Sequence, residues 1–97
     1  MATIYFIEAP KQNLVKIGRT TNVEQRFATI QSCSPVKLHL RSTIKNVDPS
    51  VETLLHHVFD TLRRRGEWFT ISKELRHLID NPKSLDVDKY RQLLKER

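Results

Sequence analysis

One cysteine, Cys33, stands in a chain of 97 residues. It allows no intramolecular disulfide, and a single thiol cannot build a cysteine-based zinc centre. That fits a reducing, intracellular setting. Long apolar runs are also missing: nothing approaches the ~18 residues that a membrane-crossing helix needs. The opening Met1-Ala2-Thr3-Ile4-Tyr5-Phe6-Ile7-Glu8 has no basic leader, and its apolar run is too short for a secretory signal. A soluble, cytoplasmic protein without a membrane partner is expected. Acidic residues are in the minority, 11 against 17 Lys plus Arg, which leaves a net charge of +6. On so small a body this excess favours an anionic partner, nucleic acid first.

What is present is patterned. The 38% of hydrophobic residues arrive in short periodic runs, so disorder over the whole chain is excluded. There is no repeat, low-complexity run or linker, and the length suits one domain. Residues 3–8 and 14–18 are rich in β-branched and aromatic side chains, and Ala9-Pro10-Lys11-Gln12-Asn13 separates them. They predict a hairpin, with Lys16 pointing away from Val15 and Ile17. Thr21-Asn22-Val23-Glu24 has the form of a capping box, with Thr21 as cap, before a helix carrying Val23, Phe27 and Ile30. Alternation from Val36 to Ile44 predicts a third strand with one wet, basic face.

Asp48-Pro49 starts a further helix, with an apolar stripe from Val51 to Leu62. Arg63-Arg64-Arg65-Gly66 reads as its C-terminus, cations at the negative end of the dipole and Gly beyond them. Trp68 to Ile71 reads as a short strand or extended segment, and Ser72 caps a helix that Asn81-Pro82 stops. Val87, Tyr90, Leu93 and Leu94 fall at helical spacing in the tail. These patterns predict an α+β chain with an extra C-terminal helix. Residues 1–80 form the expected main body of the domain and residues 81–97 its helical extension.

Several polar residues stand where a fold does not need them. Glu52 lies near the start of its helix at the edge of the apolar stripe, with His56 one turn on along the same flank. A carboxylate beside a histidine at the rim of a core can hold a divalent cation with open positions. The plain alternative for Glu52 is a carboxylate complementing the helix N-terminus. Arg26 alone would be a solvated helix residue, Lys16 an edge gatekeeper and Tyr5 a core side chain.

Their order resembles the GIY-YIG nuclease superfamily over about residues 3–71. Thr3-Ile4-Tyr5 stands where the first motif ends in tyrosine, and Lys16-Ile17-Gly18, followed by Arg19-Thr20, where the second lies. Arg26 and Glu52 fall at the superfamily's helix arginine and metal-binding glutamate. The ending Gly66-Glu67-Trp68-Phe69 is similar to a compact phage, bacterial and fungal branch. Thr3 replaces a glycine, Lys16 a tyrosine and Ile30 a histidine or tyrosine, and the late Pro-x-x-Asn is missing.

The resemblance implies a small three-stranded antiparallel sheet flanked by helices, and metal-dependent hydrolysis of phosphodiester bonds by an endonuclease that nicks or cuts DNA, with RNA as an open alternative. One divalent cation, Mg²⁺ or Mn²⁺, would be held by Glu52, with Tyr5, Lys16, Arg26 and His56 completing the catalytic set. Tyr5 would act as general base, Arg26 would stabilise the phosphate and Lys16 would add positive charge. A free phenol of pKa ~10 is only about 0.1% ionised at pH 7, so the expectation includes a phenol lowered by Lys16 and the metal. Arg19, Arg63, Arg64 and Arg65 offer a track for nucleic-acid phosphates. The competing reading is a binding or adaptor module that keeps the fold without turnover. No added recognition domain is visible, so sequence selectivity would call for a homodimer or a recruiting protein.

Overall fold

The computed structural model describes residues 1–96. In chain order the strands are β1 (Ala2–Ala9), β2 (Leu14–Thr20), β3 (His39–Val47), β4 (Arg63–Arg65) and β5 (Trp68–Thr70). The helices are α1 (Val23–Ser32), α2 (Ser50–Val58), α3 (Lys73–Asp80) and α4 (Val87–Lys95). The strands form one antiparallel sheet in the order β3-β1-β2-β5-β4. The α+β class stands, but the sheet has five strands where the sequence suggested three.

The two extra strands come from residues 63–70. The apolar stripe of α2 does not run on to the arginines. The helix ends at Val58, a 3-10 turn follows over Asp60–Leu62, and Arg63–Arg65 extend to pair with Trp68–Thr70. Gly66 sits at φ +55° and makes the hairpin turn there instead of closing a helix. The arginine triplet is therefore an exposed edge strand and not a helix C-terminus.

β1 and β2 form the expected hairpin, closed by a 3-10 turn over Pro10–Gln12 and by Asn13 at φ +54°. β3 begins three residues later than its alternation suggested, and it contains a bulge. Phe6 faces Ser42 while Ile7 faces Leu40, which leaves Arg41 as the extra residue. Alternation restarts on the opposite face at that point. Leu38 packs with Tyr5 and Ile7, whereas Ile44 packs with Ile4 and Phe6.

Each sheet face therefore buries its own cluster. On one face Ile4, Phe6, Val15, Ile17 and Phe69 pack against Val51, Leu55 and Phe59 of α2 and Leu75, Leu78 and Ile79 of α3. α4 closes this side, with Tyr90 edge-on to Phe59 at 6.1 Å between ring centres. On the other face Tyr5, Ile7, Ala9 and Leu38 lie under Phe27 and Ile30 of α1.

Caps refine the helix starts. Asn22, not Thr21, caps α1, its side chain accepting from Gln25 N at 3.1 Å. The Asp48 carboxylate accepts from Ser50 N at 2.8 Å, and this bond holds its pKa below the usual range. Ser72 and Asp86 cap α3 and α4. No helix among the described residues is long and apolar enough to cross a membrane.

Candidate active site

The site lies where β2 runs past the end of β5. β5 pairs only with Leu14–Lys16, so β2 from Gly18 to Thr20 has no strand on that side. Ile17 marks the boundary, its N–H donating to the Glu67 carbonyl at 3.1 Å. Side chains from both sheet faces and from the hairpin tip meet around this open edge.

From the α1 side come Tyr5, Lys16 and Arg26. Cross-strand pairing sets Tyr5 opposite Gly18, and Ile7 opposite Lys16, so all four share that face. The Tyr5 ring lies directly on Gly18, where an added Cβ would come within 2.2 Å of the phenol oxygen. No other residue type fits there without displacing the ring. Tyr5 is 1% exposed, and its hydroxyl is buried with no hydrogen-bond partner among the described residues. A buried, unpaired hydroxyl is costly.

Burial pushes the phenol's pKa upward, and the negative charges of Glu67 and Glu52 add to it. Arg26 acts in the opposite direction, by its charge and by a side-chain approach to the hydroxyl that falls short of full hydrogen-bond geometry. Lys16 does not contribute the lowering expected of it. Lys16 instead lies 3.2 Å from the Glu67 carboxylate, and 5.8 Å over the Trp68 ring.

From the α2 side come Glu52 and His56, one helical turn apart. Packing of Val51 and Leu55 into the core turns Glu52 to the rim, where Arg19 approaches it at 3.7 Å. His56 lies against Phe69, at 5.1 Å between ring centres. Its Nε2 is 2.7 Å from the Ile17 carbonyl. A carbonyl can only accept, so Nε2 carries the proton, and in the neutral ring Nδ1 remains free to accept or ligate.

Glu67 completes the group. One ligand atom each from Glu52, His56 and Glu67 can be chosen so that all lie within 4.8 Å of one another, each residue being half-buried. A divalent ion with bonds of about 2.1 Å holds opposite ligands roughly 4.2 Å apart. The set therefore fits such an ion after a contraction of about half an ångström. Glu67 carried no role in the sequence reading. Its signal was the Gly66-Glu67 step, which the left-handed Gly66 turns into a hairpin tip beside Lys16.

The arginines divide. Arg19 borders the site with its side chain half exposed. Arg63 is engaged locally with Asp60 and the Gly66 carbonyl, and lies 5.0 Å over the Phe69 ring. Arg64 and Arg65 are exposed beside the hairpin tip.

A family model described as the T5orf172 domain matches residues 2–87. No curated protein and no solved structure matches the chain.

Proposed function

The chain belongs to the T5orf172 domain family, and from that premise and the open β2 edge we propose that it is a divalent-metal-dependent endonuclease acting on DNA. Membership is compatible with a nuclease-like or DNA-binding module. One observation carries the finer reading. Three cations, two carboxylates, an imidazole and a buried unpartnered phenol converge on one exposed strand edge. Phosphate binding needs the cations but not the carboxylates, and a packing tyrosine does not need an unpaired hydroxyl.

Glu52 would hold the ion, with His56 beside it. The ion would supply Lewis-acid stabilisation of the phosphate and a more acidic water. The chain's own groups do the rest. Arg26, on the flank of α1, offers a guanidinium to charge building on the phosphorus oxygens. Lys16 adds a second positive charge at the same edge. Tyr5 is the group that takes the proton of the attacking water. Two of the three causes that keep its phenol protonated are the carboxylates, whose charge a bound cation would offset. Arg19, Arg64 and Arg65 hold backbone phosphates and set no base preference.

A supercoiled-plasmid nicking assay with Mg²⁺, Mn²⁺ or chelator tests the reading. Wild-type protein should nick in a metal-dependent way, and Glu52→Gln should not, while binding DNA as well or better. Equal nicking by both proteins would remove Glu52 from the chemistry. A second reading, a binding module without turnover, is favoured by the pairing of each carboxylate with a cation. It expects metal-independent binding and no nicking under any condition.

A further inference from the structure

We infer that Glu67 is the second carboxylate of the metal centre, and that the centre takes a first-row divalent ion, Mn²⁺ in preference to Mg²⁺, with Lys16 released from Glu67 as the ion enters. The inference rests on the endonuclease reading only for its location and concerns binding alone.

The donor set argues for the ion. Two carboxylates and one imidazole within 4.8 Å are harder to reconcile with Mg²⁺, which favours oxygen and water, than with Mn²⁺ or its heavier neighbours. The Nε2–carbonyl bond at Ile17 sets the neutral tautomer in which Nδ1 carries the lone pair. A carbonyl orienting a ligating histidine in this way is the usual outer support of a metal site. Beside the cluster, the Tyr5 hydroxyl is fully buried, completes no hydrogen bond of full geometry even to the nearby Arg26, and is close enough to Glu67 and Glu52 to feel both charges. An orphaned oxygen beside two carboxylates points to a further species between them.

Each carboxylate faces one of the chain's own cations, Lys16 at Glu67 and Arg19 at Glu52. Their N···O distances are 3.2 and 3.7 Å. The ammonium, 5.8 Å over the Trp68 ring, sits at the end of a long flexible stem, so it can leave Glu67 without disturbing the strand. Once released, the same ammonium faces the open edge, where phosphate would lie. Ion binding and substrate charge would thus be coupled through one side chain.

The test uses Mn²⁺ alone, with no nucleic acid. Metal-free full-length protein is titrated while the free ion is followed by its electron paramagnetic resonance signal, and Mg²⁺ is then added in competition. Wild type should bind one Mn²⁺ per chain and yield it only to a large excess of Mg²⁺. Glu67→Gln should weaken Mn²⁺ by about tenfold or more, of the size expected when a site loses a needed partner. Lys16→Met should tighten it by about threefold or more, because a competing cation is gone.

The opposite signs are decisive. If Glu67 serves only its bridge to Lys16, both variants break the same bridge and shift affinity alike. His56→Gln keeps an N–H for the Ile17 carbonyl and should erase most of the preference for Mn²⁺ over Mg²⁺. Wild-type affinity in Glu67→Gln, a like shift in both variants, or no binding by wild type would each overturn the inference. Mn²⁺ binding as described without any nicking would sink the endonuclease reading and leave this one standing. Loss of nicking in Glu52→Gln beside unchanged affinity in Glu67→Gln would do the reverse.

Discussion

Glu8 and the pair Glu52–Glu67 are the two places where this basic protein sets carboxylates below its surface, and they are built in opposite ways. Glu8, in β1, is 4% exposed and fully satisfied. It accepts from Arg41 Nε at 2.9 Å and from both terminal nitrogens of Arg76 at 2.9 and 2.8 Å. The Arg76 hydrogen bonds, helped by Arg41, hold its pKa below the usual carboxylate range. Glu52 and Glu67 each have one loose cation and spare lone pairs. A saturated carboxylate ties β1, β3 and α3 together; an unsaturated one at a strand edge is free to take a ligand. Burial alone does not separate the two roles. The count of acceptor positions left over does.

That contrast can be broken by exchanging the variants. The largest effect belongs to Glu52→Gln, which should remove nicking altogether with an unchanged melting temperature. Glu8→Gln should do the opposite. It should cost about 3 kcal/mol, the low end for breaking a buried pair because both guanidiniums can swing to water, while nicking at low temperature persists. Chemical denaturation with a parallel nicking assay checks both. Full activity loss in Glu8→Gln without unfolding would dissolve the distinction.

Tyr5→Phe sharpens it further. Nicking should fall by about 10²–10³-fold, as it should for Arg26→Ala. Yet removal of an unpaired buried hydroxyl should leave the protein as stable or about 1 kcal/mol more so. A stabilised, inactive protein is the signature of a group kept for chemistry. A destabilised, active one would return Tyr5 to the core.

The pH dependence follows from the sign of the Glu8 shift. A carboxylate lowered in the folded state adds stability above its unfolded pKa of about 4.3, and that stability is lost as pH falls through the folded value. Wild type should therefore lose its advantage over Glu8→Gln progressively below about pH 4.3. Melting temperatures across pH 2–7 measure the convergence, and a constant gap would refute the linkage. Smallest of all, Arg64→Ala and Arg65→Ala should leave the fold alone. If about four phosphates are neutralised, log K should fall with log salt at a slope of roughly −3.6, and each variant should flatten it by about 0.9. An unchanged slope would place the DNA elsewhere.

Much of the architecture was legible because periodicity dominated there. β1, β2, α1, α3 and α4 all follow their apolar spacing. β3 was displaced because a bulge at Arg41 reverses the faces, and a single extra residue leaves no compositional mark. β4 was hidden because Arg-Arg-Arg-Gly satisfies two local rules equally well, helix C-terminus and hairpin turn. Pairing with β5 decides between them, and that pairing is not local. Tyr5, Lys16, Arg26, Glu52 and His56 all lie around the β2 edge. Glu67 was missed for the reason β4 was: its neighbours are defined only once the hairpin tip reaches Ile17.

The hairpin tip has a consequence in time as well as in space. The Tyr5 ring meets Gly18 within a local hairpin, whereas Lys16 meets a carboxylate 51 positions further along the chain. Contacts this distant in sequence form late, after the loop-closure entropy of the intervening segments has been overcome. A chain emerging from the ribosome can therefore expose its cations long before it can assemble the centre. Whatever chemistry the edge performs switches on as one of the last events of folding, and partial unfolding of the β4–β5 hairpin would switch it off first.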